Sequence, residues 1–377
     1  MSMENNSFNK NSDPSLKQTL KNDLREVHFK RDFIREYKEL KNFYLTEEKK
    51  ARLESMGKFH RFFYQLFWLV KSLFLNLTPF RRILVIIGMV LLIGVGTVRI
   101  DNNDINGSSN NNGLLGGAII IFVLMLELKD KLFAKEELEA GRKVQQALAP
   151  TSNQSIPGWS IWLNTKPANE VSGDLVDFLK IDDDKYGLII ADIAGKGLSA
   201  ALLMAKLQSI IRAIAYDYES ISKLCGKINE IFHRDSLPTL FASMIYIELN
   251  TKTNQLRYVN AGHLPPILID AKQITEMPKG EAALGLIKRI DFSEKLIDLN
   301  DSDIFLAYSD GLTEAKNEHG DFFGIERLRK ILPTLYGLST ERIGQTILEH
   351  VDYFVDDNVY YDDLSLLIIK RNNTTNS

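Results

Sequence analysis

The sequence predicts an α+β layered fold in residues 151–371, preceded by an α-helical region with a membrane-anchoring segment. Three observations carry this. Past residue 156, short apolar runs bounded by turn-forming residues read as strands. Helical segments cluster among those strands without strict alternation, which favours α+β layering over a doubly wound sheet. Ahead of them lie a charged stretch lacking Gly and Pro and two uncharged apolar runs.

At 377 residues the chain is long enough for two or three domains, and 45% hydrophobic residues suffice for a full core. Cys225 is the single cysteine, so no internal disulfide and no cysteine metal cluster can form, which suits a reducing compartment. Residues 1–82 hold 17 Lys and Arg against 10 Asp and Glu, a balance of +7 that leaves −10 for the rest. A basic segment beside a hydrophobic one points to a membrane surface and away from nucleic acid. The N-terminus is polar and Asn-rich, so no signal peptide is expected.

Residues 1–15 read as a disordered tail. Residues 16–80 form a basic helical region, in which Leu16, Leu20, Leu24, Val27, Ile34 and Tyr37 recur at amphipathic spacing. Within it, 62–77 is aromatic and apolar but interrupted by Lys71, as an interfacial helix would be. Residues 81–128 read as a transmembrane hairpin, with apolar runs at 83–98 and 114–126 around a polar loop. Each run is shorter than the roughly 20 residues that span a bilayer comfortably. The alternative is a buried helical pair of a soluble protein. Arg81, Arg82, Lys129 and Lys131 outnumber Arg99 of the loop, so both flanks are expected on the cytoplasmic side of a cell inner membrane. Residues 129–150 form a helical linker. Ala134, Leu138, Gly141, Gln145 and Leu148 make a weak heptad seam along it, through which a homodimer could form. Residues 372–377 are a short tail.

In the C-terminal half, strands are expected at 160–165, 175–181, 187–192, 241–249, 255–260, 266–269, 296–299, 304–308 and 364–369. Helices are expected at 198–216, 221–232, 325–335 and 341–354. Four acidic positions share one context, a turn at the edge of an apolar strand: Asp174, Asp192, Asp310, and Asp362 or its neighbour Asp363. Carboxylates converging on one end of a sheet need hard divalent cations to stay ionised together. Without a Cys/His set, Mg²⁺ or Mn²⁺ is the expected class.

The order SGD, ADIAGKG with an AALLMA helix, FASMIYIELN, NAGHLPP, YSDGLTEA and DDLSLL resembles the PPM-type metal-dependent serine/threonine phosphatases, in particular their SpoIIE- and RsbU-like branch. The resemblance covers about residues 138–371. It implies a β-sandwich flanked by helices in α-β-β-α layers, with two Mn²⁺ or Mg²⁺ ions at one end. Carried over by position, Asp192 would bridge the ions and the Ile193 carbonyl would be an additional ligand. Asp310 and Asp362 would complete one shell, and Asp174 would serve the other. A metal-bridging water, acidified to hydroxide, would attack the phosphorus of phosphoserine or phosphothreonine in line. The implied partner is a phosphorylated regulatory protein of the anti-sigma-factor-antagonist type. Where the family often has Gly-Gly-Asp-Phe-Tyr-Asp, this chain has Ser172-Gly173-Asp174-Leu175-Val176-Asp177, which keeps both carboxylates and loses the aromatic pair.

Three further features have two readings each. Asp182-Asp183-Asp184 is either metal bait or a solvated turn. His263 either serves as a general acid or orders the loop before Pro265-Pro266. Lys196 either touches phosphate or is a solvated loop charge. For the whole chain, the alternatives to a phosphatase are a catalytically weak pseudophosphatase and a membrane scaffold.

Overall fold

The computed structural model describes residues 53, 56–93, 112–236, 239–356 and 360–372. The expected tail 1–15, residues 16–52, 54 and 55 of the expected helical region, residues 94–111 of the hairpin and residues 373–377 lie outside the described residues. The chain divides into two compact units at Asp130, and each is described by itself.

In the N-terminal unit, helix α1 spans Lys58–Asn76, α2 spans Pro79–Ile93, and α3 begins at Asn112; α3 ends at Leu148, its residues past Asp130 belonging to the C-terminal unit. Helices α2 and α3 approach where two glycines face each other. A Cβ on Gly88 would press on the Gly116 carbonyl, and one on Gly116 would press on the Gly88 carbonyl and the Leu92 nitrogen. Small residues that let backbones come this close are the packing device of helices in lipid. Arg81 closes one end of the pair, donating to Glu127 at 2.7 Å and Asp130 at 2.6 Å. Most of the remaining apolar surface faces outward, including Phe62, Phe63 and Phe67 on α1, Ile86 and Val90 on α2, and Phe122 and Met125 on α3. Helix α3 is long and apolar enough to cross a membrane. The 15 described residues of α2 fall short of a full span.

The C-terminal unit is a sandwich of two antiparallel sheets with helices outside each. Its strands are β1 Asn153–Ile156, β2 Trp159–Lys166, β3 Asp174–Lys180, β4 Lys185–Ile193, β5 Ala242–Asn250, β6 Gln255–Ala261, β7 Ile267–Ile269, β8 Ile274–Glu276, β9 Lys295–Ile297, β10 Ile304–Tyr308 and β11 Leu364–Arg371. Among the described residues one sheet has the order β1-β2-β11-β10-β7-β8 and the other β3-β4-β5-β6-β9. Between the sheets pack Trp159, Ile161, Leu188, Ile190, Ile245, Tyr258, Phe305, Leu367 and Ile369. Helices α4 (Leu198–Ile214) and α5 (Ile221–Asp235) cover the second sheet over Ile189, Ala191, Ile193 and Met244. After the single turn α6 (Asp310–Thr313), helices α7 (Gly324–Ile331) and α8 (Thr340–Val355) cover the first sheet over Leu306, Leu364, Leu366 and Ile368.

Central strands are thus buried on both faces, which is why Leu188-Ile189-Ile190 and Leu366-Leu367-Ile368-Ile369 are unbroken apolar runs instead of alternating ones. The α-β-β-α layering agrees with expectation. The expected strands are all present. Three elements were not expected: β1, β8 and α6. Helix α4 also passes the length and composition of a membrane span, but its Ala200, Met204, Leu207 and Ile211 are core residues of the sandwich.

The ladder registers bring four strand ends to one edge of the sandwich. Asp174 opens β3 directly opposite Asp192 near the end of β4. Tyr308 closes β10 opposite Leu366, close to where β11 begins at Leu364. Here Gly311 is required by space, since a Cβ would collide with the main-chain carbonyl of Asp363. Because that neighbour is backbone, relief needs a shift of α6 against β11. Gly311→Ala is expected to cost about 1–3 kcal/mol in urea denaturation, typical of overpacking. An unchanged midpoint would show that this approach is looser than described.

Candidate metal centre

Two carboxylates of the site come from each sheet. Asp174 and Asp192 face each other across the β3–β4 ladder, where like charges repel. Asp310 opens the short helix that follows β10, and Asp362 lies just before β11. Asp174 is the deepest. Its Oδ2 is buried without a hydrogen-bond partner, and burial, then the charge of Asp192, push its pKa well up against the opposing Ser365 and Ser309 hydroxyls. Burial, then Asp310, Asp362 and Asp363, raise Asp192 to about 7. Burial, then Asp362, raises Asp310. The end of the sandwich therefore crowds carboxylates that Lys196 offsets only in part, and a further cation would relieve them.

The turn between β4 and α4 supplies the floor. Gly195 and Gly197 have φ of 118° and 71°, a region favourable only to glycine, and they swing the chain from strand into helix within four residues. The Ile193 carbonyl points back toward the Ser172–Asp174 loop, since a Cβ on Gly173 would lie 3.6 Å from that oxygen and 3.9 Å from Asp363 Oδ2. The expected main-chain ligand thus sits between the two acidic loops. Lys196 turns across the same end, 2.6 Å from both Asp362 Oδ2 and the Tyr361 carbonyl.

Asp362 and Asp363 separate cleanly in role. Asp363 is buried and saturated, accepting from Ala168 N at 2.7 Å through one oxygen and from Gly173 N at 2.7 Å and Ser172 Oγ at 2.9 Å through the other. It ties the first sheet to the loop that carries Asp174. Asp362 is half-exposed, with Lys196 on Oδ2 and the Asp363 amide on Oδ1 at 3.0 Å. Asp177 does not join the site. It points into the helical layer, where Arg212 binds it in fork fashion at 2.6 and 2.8 Å and Gln208 adds a bond at 3.1 Å. The triplet Asp182-Asp183-Asp184 is an exposed turn in which Asp182 accepts from the amides of Asp184 and Lys185.

Sequence reasoning had missed Gln145 as a site residue. Its side-chain amide clasps the backbone of Ser172, donating to the carbonyl at 2.9 Å and accepting from the amide at 3.0 Å. One turn earlier, Gly141 lies against Val171. A single signal was available: Gln145 is a polar residue at a seam position of the linker.

As the side chains stand, and among the described residues, no group of three or more Asp, Glu, His or Cys closes around a common point as a finished cage would. The donor set still fits hard divalent cations. It is all oxygen, one buried carboxylate oxygen is unpartnered, and the charges resist sharing the space without a counter-ion. In the metal-free protein Asp192 keeps its proton up to about pH 7, whereas an unfolded chain releases it near ~4. The folded state then binds more protons through that window, so this group lowers stability as pH rises from about 4 to about 7. Urea denaturation in chelator should show a slope of that sign that Asp192→Asn flattens. Identical pH slopes in the two proteins would contradict the crowding.

Comparison with known proteins agrees with this geometry. The profile of the Stage II sporulation protein E (SpoIIE) family matches residues 182–372, half of the chain. Phosphoserine phosphatase RsbU of Bacillus subtilis (strain 168) is 26% identical over 239 residues, covering 63% of this chain and 70% of RsbU. Protein IcfG of Synechocystis sp. is 26% identical over 294 residues, 69% of this chain but 46% of IcfG, so the chain spans about half the length of that relative. The solved PP2C domain of SiaA from Pseudomonas aeruginosa superimposes with a TM-score of 0.56 at 19% identity, covering 64% of this chain and 98% of that domain, which shows the fold. The chain belongs to the SpoIIE family, and its C-terminal unit is a PPM-type serine phosphatase domain.

Proposed function

We propose that the protein is a membrane-anchored, metal-dependent serine/threonine phosphatase that dephosphorylates a regulatory protein of the anti-sigma-factor-antagonist type. The observation that carries the reading is the meeting of Asp174, Asp192, Asp310 and Asp362 at one end of the sandwich, with Asp174 Oδ2 buried and unpartnered. Asp192, with the Ile193 carbonyl, would hold both of two Mn²⁺ or Mg²⁺ ions; Asp310 and Asp362 would serve one and Asp174 the other. When bound, the ions supply an acidified water as nucleophile and neutralise charge on the phosphoryl oxygens. The chain's own residues do the rest. Asp363 fixes the Ser172–Asp174 loop against the opposite sheet. Lys196, its ammonium at the rim, can release Asp362 to a cation and turn to a phosphate oxygen. RsbU is named a phosphoserine phosphatase, which supports the substrate class.

Asp192→Asn is expected to abolish phosphatase activity while leaving the folded chain as stable as before or more so without metal, because it removes one repelling charge. Turnover of p-nitrophenyl phosphate and a phosphoserine protein in saturating Mn²⁺ checks this, and wild-type rates would sink the assignment.

For the anchor, the reading is a hairpin of α2 and α3 in the cell inner membrane with the catalytic unit on the cytoplasmic side. It rests on the Gly88–Gly116 approach and the outward apolar faces. A homodimer through the linker belongs to the same proposal, although Gly141 and Gln145 of its seam already meet Val171 and Ser172. Alkaline carbonate extraction should leave the full chain in the membrane pellet. Recovery in the supernatant would mean that the two helices are a buried pair instead.

A further inference from the structure

Four carboxylates reach the candidate site in two pairs, one from each sheet, so the spacing of the sheets at this end sets how far apart the pairs stand. The connection from β6 to β7 crosses between the sheets here, and His263 lies in it. Its placement is fixed several times over. Gly262, at φ 72°, packs so tightly on Ala283 that a Cβ would collide with the Ala283 main chain. The Asn260 side chain accepts from His263 N–H at 2.8 Å and donates to the His263 carbonyl at 3.1 Å. The ring is buried, with Nδ1 2.8 Å from Ser243 Oγ and Nε2 without a well-aligned partner.

An imidazole so placed is expensive if all it does is fill space. Its one side-chain partner lies beside the site. Ser243 is directly opposite Asp192 in the β4–β5 ladder, so their side chains share a face. The loop that carries the ring leads from β6 of the Asp192-bearing sheet to β7, which pairs with β10, and β10 ends two residues before Asp310. Burial pulls the ring's pKa down to about 4, so at neutral pH it carries one N–H. That N–H and the ring's lone pair leave Nδ1 able to pair with the Ser243 hydroxyl in either sense, and the bond fixes the side chain that faces Asp192.

We propose that His263 is a positioning residue that, from the loop joining the two sheets, holds Ser243 opposite Asp192 and so sets the divalent-cation affinity of the site. The inference rests on the metal-dependent reading above. It does not make His263 a general acid, because the ring has no exposed face from which to reach a leaving group.

The test uses the full chain in detergent, with Mn²⁺ affinity from calorimetry, Mn²⁺ dependence of p-nitrophenyl phosphate hydrolysis, and thermal unfolding in chelator. His263→Phe keeps ring volume and removes the Ser243 link. It should weaken Mn²⁺ binding by about tenfold or more, as loss of groups that orient metal ligands does, while kcat at saturating metal changes far less. His263→Asn, which can still meet Ser243, should recover part of the affinity. Ser243→Ala should weaken binding in the same sense, and the double variant should be no worse than His263→Phe alone. A folded His263→Phe with wild-type Mn²⁺ affinity and only a lower unfolding temperature would reduce His263 to ordering its loop and overturn the proposal. So would additive losses in the double variant. If His263→Phe does not fold, Ser243→Ala decides alone, and unchanged affinity there is fatal. A wild-type chain that binds Mn²⁺ without hydrolysing phosphomonoesters would sink the phosphatase reading and leave the strut standing. A wild-type chain that binds no Mn²⁺ would sink both.

Discussion

Repulsion among carboxylates that cannot get away from one another is the constraint around which the C-terminal unit is built. Asp174 and Asp192 are locked opposite by a β-ladder, and a one-residue slip would turn one of them to the far face and drag the core pattern with it. Asp310 and Asp362 are held by the ends of β10 and β11 in the other sheet. The sandwich core, dry and apolar on both sides of each central strand, is stiff enough to hold this arrangement against its electrostatic cost. Stability is given up locally to keep these charges together.

Around that constraint, acidic residues of one type divide into opposite jobs by surroundings alone. Asp363 and Asp177 are as buried as Asp174, yet each is saturated, the first by loop amides and a serine hydroxyl and the second by Arg212 and Gln208. Their charges are spent on holding the structure. Asp174 has no such company at Oδ2, and Asp362, at the surface, has a lysine and one main-chain amide.

Much of this was legible in the sequence because the central strands are buried on both faces and therefore appear as unbroken apolar runs. Strands β1 and β8 went unread for the opposite reason, being short edge pieces with mostly exposed side chains. The acidic positions at strand ends were visible, but their ranking was only partly so. Asp174 and Asp177 are three apart on one strand, so period-two alternation already sends them to opposite faces and admits just one to the site. The choice between Asp362 and Asp363 depended on partners nearly two hundred residues away and could not be read locally. Gln145 was counted as a flaw in a heptad seam; its partner is main chain, and no side-chain pattern announces that.

The Gln145 clasp also has a mechanical meaning. Both of its bonds go to the backbone of one residue, so they form and break as a pair, and the chemistry of the side chain at position 172 has little say in them. A helix turns by about 100° per residue. Rotating α3 about its axis by a single position would carry the amide away from Ser172 altogether instead of loosening it by degrees. The grip on the loop that carries Asp174 is therefore all-or-none with respect to helix rotation, like a key whose teeth engage in one orientation only.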